Sequence, residues 1–390
     1  MNLKLRELTT TEFCIGLGVK ILMGIAYGYL FLHFYNGDDT WKIHQQSVKE
    51  TSLLLNNPGQ FFLNEYTPLE AIRTGETLKQ TLILYLNDLE YAMVVKTMAL
   101  FNLISHGNYY FNVVLFNLVV FWGHYWLFRV LTNLFPEARR KLFLAIFLFL
   151  PAVFWLSGIR ADGLLLFFFS LFLLSISQHK NIALAITGFA GMFIIRPQFA
   201  VLLGVALAPY WLSARLKVRP LILFFTSYTV AIIVFFTVGL QSTVIQKQKE
   251  FSRLQGTRFT MKELQPDVSS FIRALPDAIN HSFLRPYPWE TKNVLQLFYS
   301  LELISFWLLV ILFIFKPHPE WKHRITQPVI LMLLFLSVSV YIFTGYIVPF
   351  PGAIVRYKII SELLLIAVST TLIAENVNIT VLSKKPEFKR

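Results

Sequence analysis

The chain has 390 residues, with 35 Lys and Arg against 22 Asp and Glu and a formal net charge of +13. Hydrophobic residues make up 55% and the mean hydropathy is +0.57, more apolar surface than one soluble core of this length buries. A soluble globular domain is therefore excluded, and because the cations gather at the boundaries of apolar runs, nucleic acid is excluded as the natural partner of the charge.

Apolar runs of membrane length recur from Phe13 to Phe34, Phe111 to Leu131, Pro220 to Leu240, Leu297 to Phe315, Pro328 to Val348 and Ile359 to Ala374. Between Leu142 and Leu212 four shorter runs are separated by Ser157-Gly158-Ile159-Arg160, Gln178-His179-Lys180 and Arg196-Pro197-Gln198, a pattern that predicts two tight helical hairpins. The expected fold class is an all-α polytopic membrane protein, one membrane domain over 1–390, with about ten transmembrane helices. The first run is longer than a secretory apolar segment and is expected to stay as an anchor.

Cations mark alternate boundaries: Lys4 and Arg6; Arg139, Arg140 and Lys141; Lys180; Arg215, Lys217 and Arg219; Lys316, Lys322 and Arg324; and Lys384, Lys385, Lys389 and Arg390. Under the positive-inside rule these face the cytoplasm, and both termini of this multi-pass chain are inside. By count the Lys316 to Arg324 group falls between the eighth and ninth runs. The Asn378-Ile379-Thr380 sequon falls at the cytoplasmic end and carries no expectation.

Two long segments leave the membrane on the outer, periplasmic side, residues 35–110 and 241–296. In the first, a helix is expected from about Trp41 to Leu55, stopped by Asn56-Asn57-Pro58-Gly59. The stretch from Leu82 to Ile104 is apolar, but Asp88, Glu90 and Lys96 would each cost roughly 2.5–3.5 kcal/mol at mid-bilayer, so it reads as an amphipathic jacket helix at the interface. The second segment is charged and broken by Pro266, Pro276, Pro286 and Pro288.

Chemistry-bearing residues collect on the outer side. Asp38 and Asp39 follow the first span; a turn is an ordinary place for Asp, but a carboxylate beside an apolar surface can be tuned into a base. Arg160 and Asp162, Arg196, and Arg356 and Lys358 sit at hairpin tips or the entry to the last helix, against the charge bias, where guanidinium forks suit phosphate oxygens. Arg285, Tyr287, Trp289 and Glu290 form a stiff proline-bounded stretch that could hold an ion pair and a stacking surface over a sugar, or simply an interfacial aromatic belt. His106 and His281 are expected to be surface histidines without metal-ligand spacing, and Cys14 a small packed residue. Within the spans, charge is limited to Lys20, Arg129 and Glu302.

Taken together, the acidic pair Asp38-Asp39 in the first outer loop, the amphipathic helices of that loop, the hairpin from Pro151 to Gly163 containing Arg160 and Asp162, the Leu284 to Glu290 stretch and Val355-Arg356-Tyr357-Lys358 resemble the bacterial polytopic glycosyltransferases of the GT-C superfamily, of the type related to protein mannosyltransferases (family 39-like). The resemblance implies an outer-facing cavity, a polyprenyl phosphate-linked sugar donor and inversion at the sugar carbon. By that carry-over Asp38 or Asp39 is the catalytic acidic residue, while Arg160, Arg196, Arg285, Arg356 and Lys358 bind the donor phosphate. Asp162, Tyr287, Trp289, Glu290 and Tyr357 would contact the rest of the substrate. A divalent cation, Mg or Mn, on Asp38 or Asp39 is an option for which no ligand set argues strongly. The expected partners are the membrane, a lipid-linked sugar and a glycan, lipid or protein acceptor. The rival expectations are a non-enzymatic transporter or flippase for a lipid-linked saccharide, which would want charge through the bilayer depth, and a surface polysaccharide polymerase or ligase sharing the transferase chemistry.

Overall fold

The computed structural model describes residues 7–63, 78–178, 181–254 and 258–374. The sequence expectations that fall on Lys4, Arg6, His179, Lys180 and the tail beyond residue 374 lie outside them. Among the described residues every named element is a helix; the sole β-type pairing is an isolated bridge between Pro317 and Ile373. The helices are α1 (Thr10–Phe34), α2 (Asp38–Asn56), α3 (Pro58–Leu63), α4 (Leu78–Ser105), α5 (Tyr109–Leu134), α6 (Arg139–Phe147), α7 (Leu150–Trp155), α8 (Ala161–Gln178) and α9 (Ile182–Ile195). They continue with α10 (Pro197–Arg215), α11 (Pro220–Thr237), α12 (Gln241–Arg253), α13 (Val268–Ile279), α14 (Val294–Phe315), α15 (Trp321–Ile325), α16 (Pro328–Ile347) and α17 (Pro351–Leu372).

Six of these, α1, α5, α10, α11, α14 and α16, are long and apolar enough to cross a membrane. The chain is a polytopic membrane protein by this measure. The large apolar side chains left exposed support it: Ile222, Phe225, Val230, Ile232 and Ile233 on α11 and Leu301, Leu308, Ile311 and Phe315 on α14 face outward, a surface that only lipid would cover at low cost. Helices α16 and α17 are the buried spine, with α10 and α13 packed on α16 and α6 and α14 on α17.

The helix starts follow local chemistry. Thr9 caps α1 in a reciprocal box with Glu12, Asn108 caps α5, Asn181 caps α9 and Asn293 caps α14, each side-chain oxygen accepting from an otherwise unpaired backbone N–H. Prolines open α10, α11, α16 and α17, where a missing N–H costs nothing.

The same rule corrects two expectations. The first of the four shorter runs, from Leu142 to the Ser157-Gly158-Ile159-Arg160 break, is not one helix: Pro151 cannot donate back into the preceding turn, so the helix stops at Phe147 and the chain restarts as α7. Pro351 starts α17 well before Ile359, which puts Arg356 and Lys358 inside the last helix rather than ahead of it.

Side-chain contacts gather one set of charges at one end of the bundle. Arg139 Nη1 donates to Glu12 Oε1 (2.7 Å), Arg324 pairs with Glu137 (2.6 Å) and donates to the Thr371 carbonyl (2.7 Å), and Lys141 Nζ donates to the Ile373 carbonyl (2.9 Å). The start of α1, the end of α5 and the end of α17 thus share an end with Arg324.

The loop containing α2 and α4 lies at the opposite end. Helix α4 packs along α2 and also touches α5, α8 and α9, buried through Val94, Val95, Met98 and Ala99 while Leu100, Leu103 and Ile104 stay exposed. Asn112 on α5 donates to Asn102 Oδ1 (2.6 Å), and Asn102 in turn donates to Ser47 Oγ (3.0 Å) on α2, so a polar chain fixes the two jacket helices to the bundle.

Candidate functional site

The acidic pair is positioned by a turn in which three successive residues have left-handed backbone: Asn36 (φ 52°), Gly37 (φ 86°) and Asp38 (φ 43°). Gly37 tolerates this freely, but Asp38 does so at a cost of about 1–3 kcal/mol that the surroundings must offset. They do so through the first turn of α2. Thr40 Oγ1 lies 2.9 Å from the Tyr109 hydroxyl and donates to the Ile159 carbonyl (3.3 Å). Trp41 Nε1 donates to the Gly28 carbonyl (2.9 Å), and the indole stacks on Tyr109 at 3.9 Å. Gly28 must lack a side chain because a Cβ there would overlap the Tyr109 ring.

Onto this clamp the chain delivers three arginines and a third aspartate. Arg160, in the turn before α8, donates through Nη1 to Asp38 Oδ2 (2.9 Å) and the Tyr27 hydroxyl (3.0 Å), and through Nη2 to Asp39 Oδ2. Arg356 on α17 places Nη1 4.0 Å from Asp39 Oδ2 and Nε 3.4 Å from Asp162 Oδ2. Arg196, between α9 and α10, reaches the other side of Asp162 (Nη2 to Oδ1, 3.2 Å) and lays its guanidinium over the Tyr357 ring at 4.2 Å. Six of the residues singled out in the sequence therefore form one continuous network, Asp38 and Asp39 to Arg160, Asp39 to Arg356, and Arg356 through Asp162 to Arg196.

Burial grades this network from inside to outside. Arg160 and Asp162 are 3% exposed at the side chain, Arg356 21%, Asp38 34% and Asp39 56%. Buried Asp162 is compensated by guanidinium on both sides, as an ionised group in a dry site requires. Three carboxylates face three guanidiniums, so the network is internally neutral. Glu90 on α4 adds a fourth acid within electrostatic reach of Arg196, Asp162 and Arg356; burial pushes its carboxyl above the usual range, against the pull of the two arginines. A narrow crevice lined by Leu165, Phe199, Leu202, Phe343 and Tyr357 runs to Arg196, with room for little more than a water-sized group.

Two sequence candidates lie elsewhere. Arg285 closes on Glu290 (Nη2 to Oε1, 2.6 Å; Nε to Oε1, 3.1 Å) and lies over the Phe259 ring at 4.7 Å, while Tyr287 and Trp289 stack at 4.9 Å with Trp289 79% exposed. Among the described residues no hydrogen bond or ion pair joins this group to the aspartates. Lys358, two positions from Arg356 on the same helix, points the other way and is fully enclosed, donating to the Ser282 carbonyl (2.6 Å).

Other expectations are corrected by burial. His281 is not on the surface: it is 3% exposed and stacks on Phe259, the ring that Arg285 also lies over. Burial and the neighbouring Arg285 hold its imidazole below the ordinary histidine range. Cys14 is exposed on α1 rather than packed. The spans also hold more charge than the sequence count, because Glu362 and Lys358 are internal to α17.

Tyr27 and Glu90 belong to the site and were not singled out as such. Tyr27 is one aromatic among many in an apolar run, and nothing local marks its hydroxyl; Glu90 was visible only as a charge that argued against a span at that stretch.

As for a divalent cation, both Asp38 and Asp39 are turned to Arg160, and among the described residues no group of three His, Cys, Asp or Glu side chains converges as a metal would need. The donors do not fit a metal centre, and no step below runs through one. Comparison with models of known families, with curated proteins and with solved structures finds no match for this chain.

Proposed function

We propose that this protein is an inverting glycosyltransferase that takes its sugar from a polyprenyl phosphate-linked donor at the periplasmic face of a bacterial inner membrane. In this reading the chain crosses the bilayer about ten times, α6 with α7 making one pass and α8, α9 and α17 three more beside the six long apolar helices, in the manner of the GT-C superfamily. The charge-rich end with Arg139 and Arg324 faces the cytoplasm.

The observation that carries the reading is the aspartate pair held by arginines in a strained turn, with Asp39 the most exposed carboxylate. Asp39 is the better base because more than half of it meets solvent, whereas Asp38 is more enclosed and orients Arg160. The reaction needs little else. Asp39 takes the proton of the acceptor hydroxyl, the acceptor oxygen bonds to the sugar carbon, and the bond from that carbon to the lipid phosphate breaks with its electrons going to phosphate. Arg356, the most accessible guanidinium of the network, stabilises the phosphate that leaves; Arg160 and Arg196 are too enclosed for direct contact and hold the carboxylates in place. A polymerase or ligase of surface polysaccharide would use the same steps with a different acceptor.

The test is transfer of labelled sugar from a synthetic polyprenyl phosphate donor to membrane acceptors by purified protein. Asp39→Asn should lower turnover by about 10²–10⁴-fold, the usual worth of a general base, with the melting temperature retained. Full activity in Asp38→Asn, in Asp39→Asn and in the double variant would remove the pair from the mechanism.

A second reading, a carrier for a lipid-linked saccharide, gains support from one observation, the charged cluster of Glu302, Lys358 and Glu362 inside the bundle. A carrier would move its substrate across sealed vesicles and form no new glycosidic bond in detergent.

A further inference from the structure

The interior of the bundle holds a charge imbalance. Glu302 on α14 is 2% exposed, and Lys358 and Glu362 on α17 are 0% exposed. Lys358 Nζ lies 3.4 Å from Glu362 Oε2, and the rings of Tyr341 on α16 and Tyr299 on α14 flank the ammonium at 4.3 Å and 5.1 Å. The Glu302 and Glu362 carboxyl groups lie within hydrogen-bonding reach of each other. The Tyr341 hydroxyl and the Lys358 ammonium lie within the same reach of Glu362, whereas no donor reaches either Glu302 oxygen and the Tyr299 hydroxyl has no hydrogen-bond partner.

Helix α16 contributes Tyr341 to the cluster, and the turn at Asn280–Leu284 contributes the Ser282 carbonyl, with the Phe283 ring against Tyr341. Helix α7 carries no titratable side chain, and His281 turns instead to Phe259. One ammonium therefore faces two carboxyl groups. A second ionised carboxylate would be left uncompensated in a dry interior, and two carboxylates in contact have no donor between them unless one carries hydrogen.

We infer that Glu302 and Glu362 share one proton, so that the space between α14, α16 and α17 is a proton-binding site within the membrane-embedded part of the protein. The proton supplies both missing items at once: it balances the charge against Lys358 and provides the donor that joins the two carboxyl groups. Because α17 carries Arg356 toward the outer network and Lys358 toward this site, the two clusters share one rigid helix. The inference stands independently of the transferase reading.

Infrared difference spectroscopy of the full-length protein in lipid nanodiscs tests it. A protonated-carboxyl C=O stretch should be present at neutral pH, disappear reversibly on alkaline titration, and be lost in both Glu302→Gln and Glu362→Gln; Glu90→Gln serves as a background that removes another acid raised by burial. Glu302→Gln, whose amide can donate where the shared hydrogen did, should keep the wild-type melting temperature at neutral pH and lose the wild-type fall in stability at alkaline pH. Should that variant not fold, the titration of the Glu90→Gln protein reads the same band. No such band at neutral pH, a band that survives in both glutamine variants, or a melting temperature set by exchange of sodium for choline rather than by pH would each overturn the proposal, the last by assigning the missing charge to an alkali cation.

Discussion

Asp162 shows how much a single side chain can depend on its neighbours. It sits almost without solvent between Arg196 and Arg356, so Arg196→Gln leaves a buried charge half compensated and should destabilise the protein by about 3–5 kcal/mol. A thermal melt in detergent measures this, and Arg196→Lys should recover only part, since an ammonium cannot both reach Asp162 and stack on Tyr357 as the planar guanidinium does. His281 gives a second, opposite kind of sensitivity. Its imidazole is held below its unfolded value by burial, so below about pH 6.5 the unfolded chain binds a proton that the folded one refuses. Stability should fall as the pH is lowered through that window, and His281→Asn should flatten the fall in melts taken between neutral and mildly acidic pH.

At this scale the sequence was readable wherever a polar residue interrupted an apolar run: Asp38, Asp39, Arg160, Asp162, Arg196 and Arg356 all announced themselves by the cost of placing charge at a membrane boundary. It was silent where helix phase decides. Arg356 and Lys358 look equivalent in one dimension, but two residues turn a helix by more than half a circle and send one to the outer network and the other to the interior.

Among elements, the packing of α16 against α13 rests on a residue with no side chain. A Cβ at Gly345 would overlap the Ala278 carbonyl, a backbone atom that cannot swing aside. Gly345→Ala should therefore force the two helices apart, costing about 1–3 kcal/mol or more, and protease sensitivity of the segment around α13 should rise with it. The apolar runs placed most helices within a few residues of their ends, because length and hydropathy fix both in a membrane. What they missed was the interruption between α6 and α7, where a run that is uniformly apolar hides a proline whose effect is on hydrogen bonding rather than on hydropathy. Helix α4 was legible as a helix, and it lies outside the six long apolar ones, packed along α2.

Across the whole molecule, contacts sort the loops into two sets. Residues near Glu12, Glu137, Arg324 and Ile373 meet at one end, and residues near Asp38, Asp162 and Arg356 at the other. Cys14 is the lone cysteine, so a cysteine-free background needs one substitution. In that background a cysteine at Asn36 or Trp289 should react with an impermeant thiol reagent added to intact cells, and one at His323 only after the membrane is opened. Labelling of positions 36 and 323 from the same side would break the membrane arrangement on which the functional reading depends.

The even match of three acids with three guanidiniums gives the outer network the character of a latch. With every fork already engaged, a lipid headgroup gains Arg356 only by competing with Asp39 for it. Under the transferase reading, the donor's arrival would itself loosen one of the two guanidiniums on the base while Arg160 keeps its grip, and an empty site would stay closed, sparing the activated sugar from attack by stray water.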